Sequence, residues 1–167
     1  MKAIVGDITK LNDVDVIVNA ANGIGVMGAG VAGAIARSMG EKAAAAVRDY
    51  CKENGPFEPG SCYATDAGLL KRRGIKKVYH AVTMKYPGQP SSLTVVERAL
   101  KSVAMEAIID GEQSIAIPGL GTGIGGLNPS QVANRMATVL LPYVGQLDIT
   151  VVDRNEGFIE AVLNAIK

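Results

Sequence analysis

The chain has 167 residues, 48% of them hydrophobic, with 17 Lys and Arg against 16 Asp and Glu for a net charge of +1. That length and apolar content suit a single domain spanning 1–167 with a buried core; the charge balance proposes no nucleic-acid partner, and the one basic run, Lys71-Arg72-Arg73 with Lys76-Lys77, reads as a solvated turn. No apolar run approaches the ~20 residues of a membrane span and the start MKAIVGDITK lacks a signal-peptide pattern, so a soluble, cytoplasmic protein with no membrane partner is expected.

In chain order, Ala3–Val5 and Val14–Asn19 are β-branched and apolar and predict buried strands. A helical pattern begins near Gly30 and runs through GVAGAIARSM; a second, EKAAAAVRDYCKEN, is rich in alanine and long side chains and stops at Gly55-Pro56. Ser61–Asp66 and Lys77–Val82 read as further strands. A long helix is expected from about Ser92 to Ile109, capped by Ser91 or Ser92 and ended at Gly111. Ser114–Ile117 reads as a buried strand, Ser130–Leu141 as a helix stopped by Pro142, Asp148–Val152 as a strand and Glu156–Ile166 as a closing helix. Such alternation implies an α/β fold, helices on both faces of a mixed, largely parallel sheet, with ligands bound at the carboxyl ends of the strands. Cys51 and Cys62 have neither metal-ligand spacing nor the density of a disulfide scaffold and read as packed thiols.

Two glycine-rich stretches follow strands: Gly23 to Gly33 (GIGVMGAGVAG) and Gly119 to Gly126 (GLGTGIGG), with five glycines each. Glycine reaches positive φ freely and has no side chain to keep a ligand away, so such loops can wrap backbone N–H groups around an anion. Two of them point to a ligand with more than one phosphate, held from two sides. Residues 28–33 formally match the dinucleotide fingerprint G-x-G-x-x-G, but NAANGIGVM separates the match from its strand, and the acids at the right offset, Asp49 and Glu53, fall in a helical pattern rather than at a strand end. No glycine run ends in Gly-Lys-Ser or Gly-Lys-Thr, which excludes a Walker loop. No cluster of His, Cys and carboxylates has metal-ligand spacing, and neither a metal nor a cofactor is expected.

Four motifs in register carry a resemblance: Gly6-Asp7-Ile8-Thr9, Val18-Asn19-Ala20-Ala21-Asn22, Gly28-Ala29-Gly30-Val31-Ala32-Gly33-Ala34-Ile35 and Gly121-Thr122-Gly123-Ile124-Gly125-Gly126 together resemble a macro domain across essentially the whole chain. The resemblance implies a three-layer α/β/α sandwich that binds ADP-ribose, free or on an ADP-ribosylated substrate, in a crevice above the sheet. It implies that Asp7 accepts from the adenine amino group, which guanine lacks at that position, with the Ile8 backbone beside it; the alternative is that Asp7 caps a local turn. Asn22 would reach the distal ribose and Asn19 would tie down the loop. Gly30 and Val31, with Gly33, offer helix-start N–H groups to one phosphate, while Gly121, Thr122, Gly123, Ile124 and Gly125 wrap the other; Gly33 also reads as a packing glycine. Arg154 would stand in, through its planar guanidinium, for an aromatic that stacks on adenine.

At the catalytic positions the sequence departs from the family's patterns. Hydrolytic members of the family commonly carry an aspartate where this chain has Ala32 and an aromatic where it has Gly125. The terminal ADP-ribose glycohydrolase type, which Met27-Gly28-Ala29-Gly30 resembles, uses a lysine near Lys85 and an aspartate where this chain has Gly125 or Gly126. Neither catalytic pair is complete. Asn22 and Lys85 are the candidates for chemistry, and His80, the one histidine, reads as a core residue in mid-strand. Two functions therefore stand: hydrolysis of an ADP-ribose derivative (an O-acetyl ester, a terminal 1''-phosphate or an ADP-ribosylated protein), or a reader that binds ADP-ribose without turnover.

Overall fold

The computed structural model describes residues 1–167. Its strands are β1 (Lys2–Val5), β2 (Val16–Asn22), β3 (Cys62–Asp66), β4 (Lys77–Met84), β5 (Ser114–Ile117) and β6 (Asp148–Asp153); its helices are α1 (Gly30–Met39), α2 (Glu41–Asn54), α3 (Leu93–Ile109), α4 (Pro129–Leu140) and α5 (Glu156–Ala165). One six-stranded sheet has the order β1-β6-β5-β2-β4-β3, parallel throughout except for β3, which pairs antiparallel with β4.

The layers follow from the period-two alternation of buried strands. On β2, Val16 and Val18 face one way, into a core shared with Val96, Leu100 and Val103 of α3, Val132 and Met136 of α4, and Phe158 and Val162 of α5. Ile17 faces the other way, toward Ile35 and Met39 of α1 and Val47 and Cys51 of α2. Two helical layers enclosing a mixed, mostly parallel sheet are what the alternation implied, and they make the three-layer α/β/α sandwich that the resemblance implied. No helix is long and apolar enough to cross a membrane.

Helix starts follow their sequence signals. Ser92 accepts from Val95 N–H at 3.1 Å, Asn128 from Gln131 N–H at 3.2 Å ahead of Pro129, and Asn155 from Phe158 N–H at 2.9 Å. The starts of α1 and α2 have no side-chain cap, and that of α1 opens on the crevice described below.

β2 runs three residues past the expected end at Asn19, because its ladder with β4 continues to the Asn22–Met84 pair after a slip in register between Ala21 and Asn22. The polar residues of this central pair form one row. Asn19 lies opposite His80 on β4, and His80 opposite Tyr63 on β3. His80 is wholly buried, 3.1 Å from Asn19 Nδ2 through Nδ1 and 2.8 Å from Thr65 Oγ1 through Nε2, and stacked on Tyr63 at 4.6 Å. Burial pushes its pKa down to about 3, so the neutral ring accepts from one neighbour and donates to the other.

Candidate functional site

A crevice of about 760 Å³ lies over the carboxyl ends of β1, β2, β4, β5 and β6, the location that parallel α/β sheets favour for ligands. Asp7, Ile8, Asn22, Gly30, Val31, Gly121, Thr122, Gly123, Ile124, Gly125 and Arg154 all line it, joined by Arg37 of α1 and by Pro87 and Gly88 after β4.

At one end stands Asp7. Its Oδ1 accepts from the Thr9 backbone N–H at 2.9 Å and the Thr9 hydroxyl at 2.7 Å, and its Oδ2 accepts from Arg154 Nη2 at 2.8 Å. Asp7 therefore does cap a local turn, the 3-10 segment Ile8–Lys10. Partial burial alone would raise its pKa, but the Thr9 hydrogen bonds and the Arg154 guanidinium outweigh it and hold the carboxyl at about 2. A carboxylate has about four acceptor positions; three are used here, which leaves one on the Arg154 side. The neighbouring Asp153 fastens the loops together: its carbonyl accepts from Gly6 N–H at 3.0 Å, its Oδ2 from Gly119 N–H at 3.0 Å and its Oδ1 from Asn155 N–H at 2.9 Å.

The first glycine loop is built around Asn22. Its Oδ1 accepts from Ile24 N–H and Val26 N–H, both at 3.2 Å, and its Nδ2 donates to the Val26 carbonyl at 2.8 Å. The loop-tying role expected of Asn19 thus falls to Asn22, which also lies at the crevice floor, while Asn19 bonds to His80 in the core. Beyond the loop, α1 starts at Gly30 with φ +59°, and Gly30, Val31 and Ala32 of its uncapped first turn line the crevice. Gly33 is a packing glycine, since a Cβ there would lie 3.3 Å from the Gly28 backbone and from Arg37 Nη1.

Within the second loop the glycines serve two purposes. A Cβ at Gly123 would meet nothing within 4 Å, so that glycine leaves open space toward the crevice. A Cβ at Gly125 would lie 2.7 Å from the Gly121 carbonyl oxygen, so that glycine is required by the fold of the loop itself. The loop is closed by Leu127 N–H donating to the Gly121 carbonyl at 3.0 Å and tied to the segment before α3 by Ser91 N–H donating to the Gly125 carbonyl at 3.2 Å.

Lys85 is not among the lining residues. Its Nζ pairs with Glu58 Oε1 at 2.9 Å, while its carbonyl accepts from Gly23 N–H behind the first loop. His80 lies below the floor, in the core. Of the four charged residues that do line the crevice, Asp7, Asp153 and Arg154 have partners within the protein and Arg37 has none. Sequence reasoning missed Arg37, although a helical wheel carries the signal: positions 30, 33 or 34, and 37 fall on one edge of a helix that starts at Gly30.

The macro domain family's sequence model matches residues 18–136. A protein of Aquifex aeolicus is 42% identical over 135 residues, which are 81% of this chain and 76% of that one. A Cronobacter sakazakii protein named O-acetyl-ADP-ribose deacetylase is 38% identical over 133 residues, 79% of this chain and 71% of the relative. Among solved structures, a glycine-to-valine variant of the Oceanobacillus iheyensis macrodomain with ADP-ribose superposes with a TM-score of 0.86 over 98% of this chain and 90% of that one, at 21% identity, a likeness of fold. With its family match spanning well over half its length and a relative above 40% identity, the chain belongs to the macro domain family.

Proposed function

We propose that the crevice binds ADP-ribose and that the protein hydrolyses an ADP-ribose derivative, with an O-acyl ester of the distal ribose as the first candidate. One observation carries the reading. The uncapped start of α1 and the open-faced second loop line the same crevice, and an ionised carboxylate, Asp7, marks one end of it. The free acceptor position of Asp7 suits the adenine amino group, with Arg154 flat beside the base. The diphosphate then lies between the α1 start around Gly30 and Val31 and the loop from Gly121 to Gly125. Both offer backbone N–H groups to anions without ordering long side chains. The distal ribose falls toward Asn22 and the first loop, and the 38% identity to a protein named as an O-acetyl-ADP-ribose deacetylase supports the ester.

The chemistry this arrangement supports is substrate-assisted. Water held between the crevice floor and a ligand phosphate attacks the ester carbonyl carbon, the bond from that carbon to the ribose oxygen breaks, and the proton passes to the departing ribose oxygen to give a carboxylic acid and ADP-ribose. Positioning of that kind contributes several kcal/mol without a dedicated base. Non-catalytic recognition is the second reading, favoured by a specific fact: both crevice carboxylates, Asp7 and Asp153, are committed to protein partners, and neither Lys85 nor His80 lines the crevice. Incubation with ADP-ribosyl esters, the 1''-phosphate and ADP-ribosylated protein, followed by product detection, decides between them. Release of ADP-ribose from an ester supports hydrolysis; binding with no turnover on any linkage leaves the reader.

A further inference from the structure

Where β2 ends, its ladder with β4 slips by one residue between Ala21 and Asn22. Two side-chain hydroxyls meet the carbonyls at the slip: Thr83 Oγ1 donates to the Ala21 carbonyl at 3.3 Å and Tyr63 Oη donates to the Asn22 carbonyl at 3.1 Å. Tyr63 reaches that carbonyl from β3, across the whole width of β4, and its ring is held on both faces, by Phe57 at 4.5 Å and by His80 at 4.6 Å. Phe57 is itself fastened to the loop, because its N–H donates to the Gly23 carbonyl at 2.9 Å while Gly23 N–H donates to the Lys85 carbonyl at 2.9 Å. From Asn22 onward, the amide side chain fixes Ile24 and Val26. One buried hydroxyl therefore stands at the start of a chain of hydrogen bonds that shapes the first glycine loop.

We propose that Tyr63, which does not line the crevice, is a positioning residue for the ligand: its hydroxyl sets the orientation of Asn22, and Asn22 sets the backbone of residues 23–26 that leads to the α1 start. A site whose affinity rests on backbone N–H groups depends on that backbone being held before the ligand arrives. The inference rests on the reading that ADP-ribose occupies the crevice.

Tyr63→Phe tests it, because the ring stays in its stack and only the donor is lost. ADP-ribose affinity by calorimetry should fall about tenfold, and hydrogen exchange at the amides of Ile24 and Val26 should quicken at least tenfold, with Val16 to Val18 in mid-strand unchanged. Asn22→Asp, which keeps the acceptor but cannot donate to the Val26 carbonyl, should quicken the same two amides. If Tyr63→Phe binds within twofold of wild type with loop protection intact, or if protection falls equally across β2 and β4, Tyr63 is only a core residue and the proposal is overturned. Absence of ADP-ribose binding by the wild-type protein would defeat the parent reading instead, and the exchange data would still report on the link from Tyr63 to the loop.

Discussion

Asp7 is held by three hydrogen bonds and remains ionised far below neutral pH, so its value to a ligand is a fixed acceptor that needs no proton change. Asp7→Ala should weaken ADP-ribose binding by about 1 to 3 kcal/mol, the range for removing a charged hydrogen-bonding partner, as read by calorimetry; an unchanged affinity would remove adenine from this end. Lys85 makes the opposite case. Its ammonium pairs with Glu58 outside the crevice, and an exposed ion pair is screened by solvent and adds little, so Lys85→Ala should leave any ester turnover within about twofold of wild type. A large loss of turnover with ADP-ribose affinity intact would instead favour covalent chemistry through the lysine. His80 contributes a pH dependence to the stability of the fold on the acid side. Its folded pKa lies near 3 against 6.5 for the free side chain; the unfolded chain therefore binds the proton more readily, and the stability that the neutral buried ring supplies is present above pH 6.5 and lost progressively as pH falls toward 3. The slope approaches about 1.4 kcal/mol per pH unit. Denaturant titrations from pH 7 to 4 should show it, and His80→Gln, with nothing to titrate there, should flatten it. A slope that persists in His80→Gln would assign the effect to the carboxylates.

At the scale of elements, the second loop separates glycines that serve a ligand from those that serve the loop. Gly123→Glu places a like charge in open space beside the expected phosphate position, so binding should be abolished while the thermal transition stays near that of wild type; a folded variant that still binds would move the phosphate off this loop. Gly125→Ala should instead strain the loop, because its new Cβ has only 2.7 Å to the Gly121 carbonyl oxygen, and its ADP-ribose affinity should fall along with exchange protection at Leu127, whose N–H bonds to that carbonyl. The same contact explains why an aromatic at position 125 is incompatible with this loop as folded. Elements with strong local signals were legible beforehand. Both boundaries of α2 were legible from its composition and its Gly55 stop, and the cap of α3 was narrowed to Ser91 or Ser92, of which Ser92 is the cap. The true end of β2 was not legible, because a register slip at Ala21 is a property of the β2–β4 pair and has no marker in β2 alone.

For the molecule as a whole, fold and crevice were legible together because the glycine loops follow strands, and strand ends of a parallel sheet are where ligands collect. What individual side chains do inside the crevice was less so. Asn22 and Asn19 sit three residues apart on one strand, and only the neighbours supplied by β4 and by the loop decide which ties the backbone and which enters the core. Lys85 likewise turns toward Glu58, a partner 27 positions earlier in the chain that no local pattern connects to it. The central claim is that two backbone anion sites and one carboxylate make a site for ADP-ribose, and calorimetric titration of the wild-type protein with ADP-ribose tests it most directly. The account predicts saturable one-to-one binding with a Kd in the micromolar range, roughly −8 kcal/mol, and no heat together with no thermal shift at millimolar ligand would contradict it.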